Sequence, residues 1–321
     1  MADTPASAGL STRLKAQAYG IGFDLAGIAR LGPAETGPAF QDWVTKGYPG
    51  EMAYLPRGAE KRMDTRLPFP GAVSALVVGL DYGGRSPSGP VARYARGDDY
   101  HEIMWSKLDS LHEWLEGEIG WPIPGKSYVD TAPILERDLA RRAGLGWFGK
   151  NTNLINPEMG SFFFIGSLFL GIELEPDSPF EADRCGTCTR CIEACPTGAF
   201  VEPRVLDATR CISYLTIESR GPIPDDLQPL VGSLLYGCDI CQDVCPWNQR
   251  FSRELAGDSP FRDRDVLRGK DAVTLSSELL AMSQQEFSAA FSKSPMKRAK
   301  LTGLKRNAEA VLRNSGTGNS E

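Results

Sequence analysis

Apolar positions along the first half of the chain switch between two periods. From Leu10 to Tyr19 they follow helical spacing, and Asp24 to Arg30 reads as a short strand. Val73 to Asp81 (VSALVVGLD) is an unbroken apolar run rich in branched residues, the mark of a strand covered on both faces. Tyr100, Met104, Leu108, Leu111 and Leu115 recur at steps of three and four, which predicts an amphipathic helix over 99–117 that the WPIPG segment ends. Tyr128 to Asp130 predicts a brief extended segment. Ile134 to Ala143 predicts another helix, with Pro133 suited to its first turn. The longest apolar stretch, Phe162 to Ile172 (FFFIGSLFLGI), is half a membrane span, holds two glycines and reads as one or two buried strands.

This alternation of elements predicts an α/β domain over residues 1–175. Pro176 to Pro179 (PDSP) carries a linker signal, a ferredoxin-like domain is expected over 176–250, and 251–321 reads as a polar helical tail. Within the tail, Lys297 to Leu312 is the clearest helix, and SGTGNSE is expected to be disordered. The length of 321 residues suits about two domains. The N-terminal MADTPASAGLSTRLK lacks an apolar signal core and a twin-arginine pair, so a cytoplasmic protein without membrane attachment is expected.

Gly144, Gly146 and Gly149 match G-x-G-x-x-G, but a helix (ERDLARRAG) precedes them where a dinucleotide site needs a strand. The related P-loop reading fails at Asn151, which stands where Ser or Thr would hold magnesium. Gly144 reads instead as the cap of that helix.

Cysteine changes the picture most. All eight fall between positions 185 and 245. Cys185, Cys188, Cys191 and Cys195 form C-x2-C-x2-C-x3-C-P, the bacterial ferredoxin pattern for a 4Fe–4S cluster. Cys238, Cys241 and Cys245 repeat its last half, and Cys211 stands alone between. In two-cluster proteins the cysteine after the x3 gap ligates the other cluster. That rule gives Cys185, Cys188, Cys191 and Cys245 to one cluster and Cys195, Cys211, Cys238 and Cys241 to the second. A disulfide framework belongs to small secreted domains. Structural zinc does not explain two Cys-Pro endings. The clusters imply one-electron transfer and say nothing of a substrate.

The net charge of −6 argues against nucleic acid, but its distribution is uneven. Residues 246–321 hold 13 Lys and Arg against 9 Asp and Glu, a net of +4, which leaves −10 on the remaining 245. Lys293, Lys297, Arg298, Lys300, Lys305 and Arg306 form either a phosphate-facing patch or a solvated face. Of the two histidines, His112 reads as a surface residue and His101 as a pocket candidate. Asp130 lies between a predicted strand and a helix and reads by position as an N-terminal cap. No cysteine is left over as a nucleophile, so a difficult reduction needs a cofactor.

Glu60-Lys61-Arg62, Tyr100-His101, Tyr128-Val129-Asp130-Thr131, Glu136-Arg137, Gly149-Lys150-Asn151 and the two cysteine runs together resemble the epoxyqueuosine reductases. So do Arg210 to Thr216 (RCISYLT), Tyr236-Gly237-Cys238-Asp239 and Leu304 to Ala308 (LKRNA), and the match spans nearly the whole chain. The resemblance implies an α+β nitroreductase-like cobalamin domain, two 4Fe–4S clusters and base-off cobalamin. The activity it implies is reduction of epoxyqueuosine to queuosine at the wobble position of tRNA. It implies Asp130 as proton donor, with burial keeping it protonated. Arg62, Asp130, Leu154, Ile165, Ser213 and Asp239 become cobalamin contacts. Arg220, Lys297, Arg298, Lys300, Lys305 and Arg306 become tRNA contacts. An external low-potential electron donor and a monomeric state are also expected. Two alternatives remain open on sequence: a cobalamin-dependent reductive dehalogenase-like enzyme and a two-cluster electron-transfer protein.

Overall fold

The computed structural model describes residues 4–316, with side chains described from Gly9. Most of SGTGNSE therefore lies outside the described residues; Ser315 and Gly316 end a helix. Among the described residues the strands are, in chain order, β1 (Leu25–Arg30), β2 (Ser74–Asp81), β3 (Gly125–Tyr128), β4 (Trp147–Phe148), β5 (Leu154–Ile155), β6 (Phe163–Leu170), β7 (Phe200–Glu202) and β8 (Val205–Leu206). β1, β2, β6 and β3 lie side by side in that order, every pairing antiparallel, so the domain is α+β.

β2 explains why its sequence is apolar without alternation. Leu76, Val78 and Leu80 face one layer, with Leu168 and Leu170 from β6 beside them. The helices Thr4–Gly20 and Tyr100–Ile119 cover that layer through Leu14, Ala18, Met104, Leu108, Leu111 and Leu115. Ala75 and Val77 face the other way, with Phe163 and Phe169, under the Glu136–Arg142 helix. Each fully buried leucine on the Tyr100 helix contributes about 1.5–3 kcal/mol. That helix starts on Asp99, whose carboxylate accepts the His101 N–H, and stops on Gly120 at φ 85. Gly27 in β1 lets the second layer close, because a Cβ there would stand 2.1 Å from the Ala143 carbonyl oxygen.

The helix expected from Ile134 begins at Glu136. Residues 130–135 form a loop instead, because the Asp130 N–H is taken by the Glu136 carboxyl at 2.7 Å and the chain must double back to bring them together. Gly144, at φ 79, follows the end of that helix as its cap. Gly149 then helps turn the β4–β5 hairpin, its N–H donating to the Asn153 carbonyl. The PDSP segment is no loose linker. Asp177 donates its N–H to Ile28 O and accepts the Ile28 N–H at 2.8 Å, covering the outer edge of β1.

The helix expected over Lys297–Leu312 is two elements. A 3-10 turn spans Pro295–Ala299, Lys300 turns the chain at φ 60, and an α-helix runs Lys300–Gly316. An unbroken helix would put Lys297 in line with Leu301, Leu304 and Ala308, all buried. The break leaves Lys297 in solvent and buries Met296 and Ala299. These residues, with Leu275, Leu279, Phe287 and Phe291, pack on Val91, Ala95, Leu235 and Tyr236 in a third apolar cluster. The polar tail therefore has a core of its own, continuous with the rest of the protein.

Candidate functional site

The two cysteine runs lie on matching short helices, Arg190–Glu193 and Ile240–Asp243, which pack together. Cys185, Cys188, Cys191 and Cys245 line one cavity of about 240 Å³, walled further by Trp247, Lys150 and Arg184. The Trp147 indole N–H donates to Cys185 Sγ at 3.5 Å. Burial pushes the Cys191 thiol up to about 11, and its neighbours Cys245 and Cys185 add to the shift. A second thiol group gathers around Cys238. Burial pushes that thiol up to about 12, with Cys211 and Cys195 reinforcing the shift. Cys241 is raised by burial and then by Cys238 and Cys211. Both sets hold thiols that resist ionising alone, so only a group bringing positive charge lets them become thiolates together. A cavity between four thiols also suits a multi-iron cube, since a single ion would draw the sulfurs onto itself. Iron–sulfur clusters therefore fit the donors.

One arginine ties this region to the sheet domain. Arg93 is 6% exposed, and its guanidinium meets Asp239 at 3.0 Å and Asp243 at 2.7 Å. Its backbone N–H also donates to Asp239 Oδ2 at 2.9 Å. The Asp239 side chain is thus committed to Arg93. Ser213 is half-buried beside Cys211, to whose thiol it hydrogen-bonds.

Asp130 follows β3 in the left-handed region, at φ 52, a costly place for a residue with a Cβ. Its Oδ2 accepts the Tyr100 phenol O–H at 2.8 Å, so it does not cap the following helix. Burial holds the Tyr100 phenol well above its ordinary range, and the Asp130 charge adds to this. Glu136 is pushed up to about 8, by burial first and then by Asp130. Solvent reaches Asp130 and Arg137, yet burial lowers the Arg137 pKa, with Asp130, Glu136 and Cys241 acting against the shift. Arg137 is thus open to solvent on one side and shielded by protein on the other, in a shallow recess close to Cys241 of the second thiol set.

Other expected contacts fall at varied places. Arg62 is 7% exposed, donates to the Tyr54 carbonyl at 3.3 Å and feels the Glu136 charge. Ile165 is the one half-exposed position of β6. Leu154 is 3% exposed and packs in the second apolar layer, so its side chain has little surface left to offer. His101 is held by Asp99 at 2.6 Å as part of the helix cap, and His112 is half-buried against the Ile123 carbonyl.

The expected tRNA set divides. Lys297 and Lys300 are exposed, Lys305 is half-exposed, and Arg220 is exposed beside the Arg298 carbonyl. Arg298 pairs with both oxygens of Glu218 and lies over the Tyr54 ring at 5.6 Å. Arg306 is withdrawn: its guanidinium donates to the carbonyls of Leu215, Ser219 and Gly221, closing the C-terminal end of the Ile212–Ile217 helix. Charge alone cannot distinguish a cation bound to carbonyls from one that faces phosphate. Tyr100 was equally hidden, as one member of an apolar stripe. A phenol in such a stripe signals a buried hydrogen-bond partner.

Residues 184–248 match the 4Fe-4S double cluster binding domain family. With the α+β domain and its acid–phenol recess, this defines an iron–sulfur oxidoreductase. Residues 62–131 match the family described as Epoxyqueuosine reductase QueG, DUF1730. An epoxyqueuosine reductase of Leadbetterella byssophila is 41% identical over 306 residues, 94% of this chain and 98% of that protein. The Bacillus subtilis epoxyqueuosine reductase, solved with an aspartate-bearing catalytic loop swung out of the active site, gives a TM-score of 0.84 at 31% identity, over 95% of this chain and 82% of that one. An epoxyqueuosine reductase solved with an epoxyqueuosine-modified tRNA-Tyr stem loop gives 0.83 at 32% identity, over 95% and 81%. The chain belongs to the epoxyqueuosine reductase family.

Proposed function

We propose that this chain reduces epoxyqueuosine in tRNA to queuosine, with Asp130 delivering a proton to the departing epoxide oxygen. Loss of that oxygen as water consumes two electrons and two protons. Two 4Fe–4S clusters, held by Cys185, Cys188, Cys191 and Cys245 and by Cys195, Cys211, Cys238 and Cys241, with base-off cobalamin, would relay the electrons from an external low-potential donor. The corrin would lie over the solvent-reached side of Asp130 and Arg137, close to Cys241 and so within reach of the second cluster. Arg62, Ile165, Ser213 and the backbone at Asp239 would hold the cobalamin. The side chains at Asp239 and Leu154 are taken up elsewhere.

The observation that carries this reading is the Asp130 carboxylate, presented to the recess and gripped by Tyr100 at 2.8 Å. Tyr100 fixes the direction of one oxygen, and the buried phenol excludes water behind it. The relative bound to a modified stem loop supports tRNA as the substrate carrier. Arg220, Lys297 and Lys300 would meet its phosphates, with Arg298 and Tyr54 at the rim between that face and Asp130. Asp130→Asn preserves shape but cannot give up a proton. Turnover of epoxyqueuosine tRNA should fall about 10²–10⁴-fold with iron and corrin content unchanged. Normal turnover by the Asn variant would remove Asp130 from the chemistry.

A further inference from the structure

Two non-glycine residues at the recess adopt left-handed backbone, Asp130 at φ 52 and Thr152 at φ 66. Each is tied by one of two consecutive residues at the start of the same short helix. Glu136 accepts the Asp130 N–H at 2.7 Å, and Arg137 donates to the Thr152 carbonyl at 2.7 Å. One dipeptide therefore fastens two strained loops. Strain of this kind persists only where the surroundings over-determine it.

The ties on the Asp130 side are few. Val129 and Ile134 are buried at either end, and between them Thr131 is exposed while Ala132 and Pro133 are half-buried. Ile134 N–H donates to Ala132 O, a bond internal to the loop. Glu136 holds the backbone of Asp130, and Tyr100 holds its side chain.

We propose that Glu136 is a positioning residue, the latch that keeps Asp130 in its left-handed, inward conformation. It grips the main chain, so it sets where the Asp130 carboxylate starts from, while Tyr100 only sets its final direction. This rests on the reading of Asp130 as proton donor for its catalytic consequence, but not for the conformation itself. Burial favours the neutral Glu136 carboxyl, which accepts an N–H through its carbonyl oxygen as an amide does. Glutamine is therefore the faithful replacement and alanine the disruptive one.

The test uses the loaded enzyme, with hydrogen exchange of the peptide spanning 129–135 followed beside turnover. Glu136→Ala should raise Asp130 amide exchange and lower kcat by about 3- to 10-fold, the range for losing one hydrogen bond, with iron content unchanged. Glu136→Gln should keep both at the parent level, and Tyr100→Phe should lower kcat without speeding exchange. Parent-like exchange in Glu136→Ala would overturn the latch. So would a Gln variant as impaired as Ala, or exchange in Tyr100→Phe as fast as in Glu136→Ala. Exchange involves no turnover, so an active Asp130→Asn enzyme would refute the proton-donor reading and leave the latch to stand or fall on its own result.

Discussion

Replacing Arg93 with Met should cost the protein more than any surface charge could. The guanidinium is 6% exposed and neutralises Asp239, itself 8% exposed, and Asp243, which is half-buried. Methionine fills much of the space and keeps the contact with the Phe162 ring, over which Arg93 lies at 5.0 Å. What it removes is charge and donors, leaving two carboxylates without their shared cation. Breaking a buried pair from one side costs about 3–5 kcal/mol. In a chain of this size, at about 2.1 cal/mol/K of unfolding entropy per residue, each kcal/mol lowers Tm by roughly 1.5 °C, so a fall of about 5–7 °C is expected at pH 7. The pH dependence separates this cause from lost packing. Burial raises the Asp243 pKa, and Arg93 is the chief opposing influence. Without Arg93 its folded pKa rises further above the unfolded value, so the penalty is full at neutral pH and shrinks as pH falls through that raised value. Thermal melts of the loaded protein at pH 7 and pH 5 measure this. Adding Asp239→Asn and Asp243→Asn should recover most of the loss. A melting point within about 2 °C of the parent at pH 7, or a loss that does not change with pH, would refute the argument.

Three further outcomes can be checked. Cys245→Ala should disturb the cluster shared with Cys185, Cys188 and Cys191 more than the other, as read by electron paramagnetic resonance; damage confined to the cluster of Cys238 and Cys241 would reject the crossed assignment. Asp81 is pushed up to about 6 by burial, and its Oδ2 has no hydrogen-bond partner. The native state therefore favours its protonated form and loses stability as pH rises from about 4 to about 6; Asp81→Asn should add up to about 3 kcal/mol at pH 7 and nothing at pH 3, measured by urea unfolding. Reversing Lys297 and Lys300 to Glu should weaken tRNA binding and lower the slope of log K against log salt by about 1.4–1.8, while an unchanged slope would place the RNA elsewhere.

The sequence carried the layers of the sheet domain because burial on both faces leaves an apolar run in β2, and burial on one face leaves the Tyr100–Leu115 spacing. The cysteines were legible for another reason: cluster geometry constrains spacing directly. Backbone conformation was not. Nothing in Tyr128–Thr131 announces a left-handed Asp130, because the bond that holds it comes from a side chain six residues on. The fate of Arg306 was equally invisible, since its carbonyl partners lie 85–91 residues away in sequence. The break at Lys300 had a faint signal, a lysine in line with an apolar stripe, which a helix continuing through it could not have tolerated.

Asn307 has a consequence for how the protein matures. It is fully buried, and its amide donates to Thr216 O and Leu235 O at 2.8 Å each, bridging the segments that carry Cys211 and Cys238. The ribosome makes the Lys300–Gly316 helix only after everything it braces. Until that helix docks, two thiol-bearing segments lack their common brace, and three apolar residues of the helix, Leu304, Ala308 and Val311, have not been buried. Loading iron is therefore expected to follow docking of that helix, and truncation within it should yield a protein poor in iron before it yields one poor in fold.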